Sequence, residues 1–156
     1  MSLVKKESQI ITIGTPVETA YAKISDLRSL ESLKQRLSDP QVQQFLATQV
    51  NADALSKVQM ALDKMTYTQD TIGFELPMVG GLVFRVVERQ QPSLVKMQSE
   101  HSPVEATIWA QLLPADASTS RIRVTVGAEL NFLMAKMADK PLQQAADAIA
   151  RMFAVL

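Results

Sequence analysis

The spacing of apolar residues changes partway along this chain, and that change constrains the fold more than anything else in it. From Thr66 to Leu130 they recur at every second residue, and from Leu133 to Leu156 at every third or fourth. The alternation is clearest late in the first stretch. Val104, Ala106, Ile108, Ala110 and Leu112 face one way, with Glu105, Thr107, Trp109 and Gln111 opposite. Ile122, Val124, Val126, Ala128 and Leu130 likewise oppose Arg121, Arg123, Thr125 and Glu129. Such strands form a sheet with one buried and one wetter face. The tail carries Leu133, Met134, Met137, Leu142, Ala145, Ile149, Met152, Phe153 and Leu156 as one stripe of a helix. At 1.5 Å per residue that helix is about 35–40 Å long, enough to traverse the sheet. Pro141 lacks an N–H and predicts a kink near Met137.

The other elements follow from local signals. Residues 3–13 read as a strand ending in Ile10, Ile11 and Ile13. Gly14-Thr15-Pro16 breaks it, with Thr15 as the expected N-cap and Pro16 at the first helical position. Val17, Ala20, Tyr21, Ile24 and Leu27 then keep helical spacing, and Leu30, Leu33 and Leu37 prolong it past a break near Asp26. Asp39-Pro40 closes this section. Residues 41–65 predict two short amphipathic helices, which serve either as a lid or as ordinary core closure. Strands are predicted over 65–69, 71–76, 82–90, 94–101, 104–113 and 120–130. Their separators are short and rich in turn-forming residues, so neighbours pair antiparallel. The class is α+β, expected as a single domain over 1–156.

Composition removes whole classes of chemistry. Sixteen basic residues balance sixteen acidic ones, so no long-range field recruits nucleic acid or an anionic membrane, and only a local patch remains open to such partners. The absence of cysteine excludes disulfides and thiolate catalysis, and a lone histidine excludes the usual multi-histidine metal site. No cofactor is expected. Gly80-Gly81 lacks the spacing and following helix of a phosphate cradle and reads as a turn or bulge. The polar N-terminus Met1-Ser2-Leu3-Val4-Lys5-Lys6 does not read as a signal peptide, and no apolar run approaches the length of a membrane span. A cytoplasmic location without stable membrane insertion is expected.

Few residues offer chemistry. His101 shares strand parity with Ser99 and Met97 but stands at a strand end, where an exposed histidine is ordinary. Glu75, Glu88 and Glu105 are scattered, with no spacing that forces a carboxylate pair. No catalytic residue is assigned. Trp109 falls on the wetter sheet face near Arg123 and Thr125 if the last two strands pair, which allows an Arg–indole contact; the ring reads as surface packing or, alternatively, as a patch for a homodimer or another partner.

The order of elements, together with Gly14-Thr15-Pro16-Val17-Glu18-Thr19-Ala20-Tyr21, Ile24-Ser25-Asp26-Leu27 and Val86-Val87-Glu88-Arg89-Gln90-Gln91-Pro92-Ser93-Leu94-Val95, resembles the START-like, or birch-pollen-allergen-like, helix-grip superfamily. The likeness is to its bacterial polyketide cyclase/dehydrase and lipid-transport branch. It implies a curved antiparallel sheet wrapped around the C-terminal helix, with a hydrophobic cavity between them. The inward parity set then supplies a ligand-binding lining of Phe74, Phe84, Val86, Met97, Ile108, Ala110, Val124 and Val126 from the sheet, faced by Met134, Met137 and Leu142 of the last helix. Small inward residues, Ala106, Ala110 and Ala128, leave room. A dry void of ~300 Å³ would cost about 7 kcal/mol, comparable with a whole domain's stability, so the space must be ligand-filled, hydrated or closed by side chains. Eight methionines favour the last in part. Three readings follow in order: a non-catalytic carrier of a hydrophobic small molecule such as a lipid, polyketide or quinone, a protein-interaction or homodimerising module using Trp109, and a cyclase/dehydrase-like enzyme using His101 or Glu88.

Overall fold

The computed structural model describes residues 2–49, 63–76, 80–102, 104–154 and 156. The chain opens with β1 (Ser2–Glu7) and β2 (Ile11–Ile13), both antiparallel to the same later strand. The single strand expected over 3–13 is thus interrupted. The physical reason is Ser8: its N–H donates to Val124 O at 2.7 Å, while its hydroxyl accepts from the Val124 N–H at 2.9 Å. The side chain replaces a backbone acceptor, so the strand bulges without leaving the sheet unpaired. Ile10 turns out to solvent as a result, whereas Ile13 returns to the core.

Helix α1 (Val17–Ser25) begins one residue later than expected. Pro16 occupies the N-cap position and no side chain caps the helix. The Thr15 carbonyl instead accepts from the Ser120 hydroxyl at 3.0 Å. The break at Asp26 is as read: Asp26 ends α1 and its carboxylate accepts from the Arg28 N–H at 3.1 Å, opening a short 3-10 turn (Leu27–Ser29) before α2 (Leu30–Leu37). Asp39 and Pro40 start α3 (Pro40–Gln49), the Asp39 carboxylate accepting the Gln41 N–H at 2.8 Å. The second helix expected within 41–65 falls largely outside the described residues.

The remaining strands are β3 (Thr66–Tyr67), β4 (Thr71–Leu76), β5 (Gly80–Gln90), β6 (Leu94–Glu100), β7 (Ala106–Pro114) and β8 (Ser120–Leu130). Gly80 and Gly81 belong to β5 itself rather than to a turn. The sheet order is β1-β8-β7-β6-β5-β4-β3, antiparallel throughout, with β2 also on β8. Last comes α4 (Phe132–Ala154), which continues through Pro141. Its N-terminus is capped by Asn131, whose side-chain oxygen accepts from the Met134 N–H at 2.9 Å.

Helix α4 packs against β8, β1 and β2. Three polar links fix it there: Lys6 pairs with Asp139, Gln143 donates to Glu7 O at 2.8 Å, and the Gln9 N–H donates to Asp147 at 3.0 Å. Two of these fall at the β1–β2 interruption, where a continuous strand would have spent its backbone groups differently. The core joins Ile24, Leu27 and Leu30 of the early helices, Val95, Met97, Ala110, Leu112, Ile122 and Val124 of the sheet, and Ala146, Ala150 and Phe153 of α4. No helix among the described residues is long and apolar enough to cross a membrane.

Candidate functional site

The concave sheet face forms an apolar floor. Its register sets Ile72 opposite Phe84, Val86 opposite Met97, Met97 opposite Ile108, Ala110 opposite Val124, and Ile108 opposite Val126. Phe84, Val86, Met97, Ile108, Ala110, Val124 and Val126 are all buried there, so the structure brings seven of the residues read from the sequence onto one surface. Leu142 is half-buried against them. The Phe74 side chain lies outside what the structure describes, although its backbone pairs with Leu82.

The floor differs between its two ends. Where α1 and the last turns of α4 cover it, Val95, Ala110, Leu112, Ile122 and Val124 are sealed. Toward the start of α4 the side chains shrink: Ala106 stands directly opposite Ala128, and Ala128 opposite Val4 of β1. Ala106 and Leu82 are only half-buried at this end. The Ala106–Ala128 pair is therefore where the floor is built of small side chains, Ala128 buried and Ala106 half-buried.

Met134 and Met137 do not line this floor. They are 42% and 78% exposed, beside Phe132 and Leu133 at 74% and 72%. The reason lies in helix geometry. The buried side of α4 is marked by Ala146, Ala150 and Phe153, and its continuation toward the N-terminus passes through the half-buried Leu142, Ala138 and Ala135. Five of the six residues from Phe132 to Met137 are apolar, more than the arc one helix face can offer. The sequence reading placed the methionines on the buried stripe, whereas the small alanines occupy it.

Neither residue considered for proton transfer reaches the floor. His101 is exposed, in the turn after β6, with a left-handed φ of 50°. Glu88 pairs in register with Lys96, whose ammonium lies 5.8 Å from the Trp109 ring on the opposite, convex face. A register shift between Val86 and Glu88 causes this, and it also turns Arg89 back toward α1, where it donates to Ser25 O at 2.8 Å and pairs with Asp70. Among the described residues the buried polar ones are Ser8, Ser120 and Thr125, none of which ionises near neutral pH. The Ser99 hydroxyl, on the inward parity, accepts from the Ala106 N–H at 3.0 Å. The carboxyls displaced below their usual range, Asp26 by its hydrogen bond to Arg28 and Asp116 by the N–H of Ser118, both lie in surface turns. No group of three His, Cys, Asp or Glu among the described residues is placed to hold a metal ion.

On the convex face Trp109 is half-buried between lysines rather than beside an arginine. Lys5 Nζ lies 4.6 Å from the ring centre, while Arg123 instead donates to Gln111 at 2.8 Å. A lysine takes the place that Arg123 could have filled because β1 joins the sheet beyond β8 and brings Lys5 across Gly127.

No protein-family model matches the sequence, and no curated protein matches it significantly. Solved structures do resemble it. Truncated norcoclaurine synthase from Thalictrum flavum superposes with a TM-score of 0.63 at 13% identity, over 100% of this chain and 96% of that one. The same enzyme in complex with dopamine and hydroxybenzaldehyde gives 0.61 at 9% identity, over 99% and 86%. A START superfamily protein from Mycobacterium smegmatis gives 0.51 at 10% identity, over 99% of each chain. This chain has the START-like helix-grip fold. At such low identities the likeness is one of architecture, and in that architecture the helix-grip floor lies where the sheet and α4 face each other.

Proposed function

We propose that this chain, as one domain over residues 1–156, binds a hydrophobic small molecule of lipid, polyketide or quinone-like character between its sheet and α4, and carries it in the cytoplasm without altering it. The observation that carries this reading is the apolar floor with the opposed Ala106–Ala128 pair at its less sealed end. Burial of apolar surface at about 25 cal/mol per Å² supplies the affinity, with few polar groups to fix orientation. Phe84, Met97, Ile108 and Val126 form the proposed wall, Leu142 flanks it, and Met134 and Met137 move from the wall to the rim. The complex of norcoclaurine synthase with dopamine and hydroxybenzaldehyde supports the reading, since a protein of this fold holds small aromatic molecules. That protein is a synthase, but the catalytic alternative here loses support from the outward His101 and Glu88.

Native mass spectrometry of protein purified without organic solvent tests the proposal. The expected result is an adduct that solvent extraction releases as an apolar compound, together with a higher Tm when lipids, sterols, quinones or polyketides are added. Protein that carries no adduct and keeps its Tm with all four classes would end the carrier reading.

A further inference from the structure

The first turns of α4 present an outward face that the carrier reading does not use. Phe132, Leu133 and Met137 are more than 70% exposed. At about 100° per residue they share an arc of about 140° with Lys136 and Lys140, turned away from the half-buried Ala135, Ala138 and Leu142 of the same turns. Lys136 Nζ lies 4.3 Å from the Phe132 ring centre, so a cation stands directly beside the most exposed aromatic ring of the helix.

The charges of α4 are sorted. Its two carboxylates both serve contacts with the first strands: Asp139 pairs with Lys6, and Asp147 accepts from the Gln9 N–H. Lys136, Lys140 and Arg151 are exposed, and none lies within salt-bridge distance of a carboxylate among the described residues. A chain with zero formal net charge thus sets two lysines that make no salt bridge among the described residues beside the exposed apolar residues at the start of α4.

We propose that this end of α4 docks reversibly on the surface of an anionic lipid bilayer. Phe132, Leu133 and Met137 enter the headgroup layer, while Lys136 and Lys140 meet lipid phosphates and carboxylates. Charge complementarity selects the anionic surface. Shape favours a fluid layer over a protein partner, because a convex helix corner needs a matching groove in a folded partner and none in lipid. The long lysine stems suit this boundary, with methylenes in the apolar layer and ammonium groups in water. Joined to the carrier reading, the docked end is the one nearest the Ala106–Ala128 pair. The docking itself does not depend on that reading.

Co-sedimentation with phosphatidylcholine vesicles containing about one-third phosphatidylserine tests the docking. The wild-type chain is expected to pellet with them, to pellet at least tenfold less with phosphatidylcholine alone, and to be released by high salt. A Phe132→Ser/Met137→Ser double variant and a Lys136→Glu/Lys140→Glu double variant are each expected to lose at least tenfold in partitioning. Both keep the buried face of α4, and circular dichroism checks their folding. Equal pelleting on the two lipid compositions, or by the serine variant and wild type, overturns the proposal. So does a dimer in solution that the serine variant dissolves, which would assign the face to a second copy of this chain. A fluorescent fatty-acid probe in vesicle-free buffer reads the floor separately. Retained pelleting by protein that carries no adduct and keeps its Tm with all four ligand classes sinks the carrier reading and leaves docking standing, whereas probe binding without pelleting sinks docking alone.

Discussion

At Gly127 the backbone of β8 runs directly beneath the indole of Trp109. A Cβ there would come within 3.0 Å of Trp109 Cζ3 and 3.3 Å of Leu3 Cδ1. Glycine in a strand interior ordinarily weakens it, because it offers no side chain to pack and loses more freedom on folding. Here the missing side chain is what lets the ring lie flat against the sheet, within reach of the Lys5 and Lys96 ammonium groups. Gly127→Val is therefore expected to lift the indole and destabilise the fold by about 1–2 kcal/mol, within the range of overpacking a tight site. Trp109 is the sole tryptophan, so its emission reports the change directly. A red shift with a lower Tm is expected in Gly127→Val. In a Trp109→Leu background the same substitution should cost less than half as much, since the obstructing ring is gone. A full, unchanged penalty in that background would show that the indole is not what glycine accommodates.

The interruption between β1 and β2 shows how one hydroxyl places an element. With Ser8 Oγ removed, the buried Val124 N–H loses its acceptor in the middle of the sheet. Ser8→Ala is expected to cost about 2 kcal/mol, or roughly 4–8 °C in Tm for a chain of this size. Amide exchange at Val124 should quicken by more than global destabilisation explains. Ile10→Ser, at an exposed position of the same interruption, should leave both nearly unchanged. An unaltered Tm in Ser8→Ala would mean that the bulge is held by the helix contacts of Gln9 and Glu7 instead. This bulge also marks what the sequence could and could not disclose. The period-2 runs located β4 to β8 within about two residues, because half-buried strands write their pairing into alternation. Ser8 carries no such signature: its effect depends on Val124, distant in sequence, and residues 3–13 kept enough apolar character to read as one strand. The floor was legible for the same reason as the strands, through parity. The rim was not, because apolar residues surround Lys136 on both sides of the helix from Phe132 to Met137, and hydropathy alone does not tell which of them meets a sheet. The alanines buried on the sheet side, Ala146 and Ala150, give a weak hydropathy signal.

Over the whole molecule, the sheet, α1 and the second half of α4 form a sealed core at one end and leave small residues at the other. This asymmetry separates a carrier from a merely stable α+β domain by the sign of one substitution. In a filled core, Ala106→Leu forces its neighbours aside and destabilises by about 1–3 kcal/mol. Where there is space beside the Ala106–Ala128 pair, the added methylenes gain contacts worth about 0.8 kcal/mol each when buried, and Tm holds or rises. The same side chain would then occupy volume that a ligand needs. The expected outcome for Ala106→Leu is accordingly a Tm equal to or above that of wild type, with a loss of at least tenfold in affinity for a fluorescent fatty-acid probe. Saturating ligand should raise the wild-type Tm by roughly 5–10 °C at a hundredfold excess over Kd, and should leave the variant almost unmoved. Calorimetry in both states reads all of these quantities. A variant that melts several degrees lower yet binds the probe as wild type does would place any bound molecule elsewhere, and would return the opposed alanines to ordinary close packing.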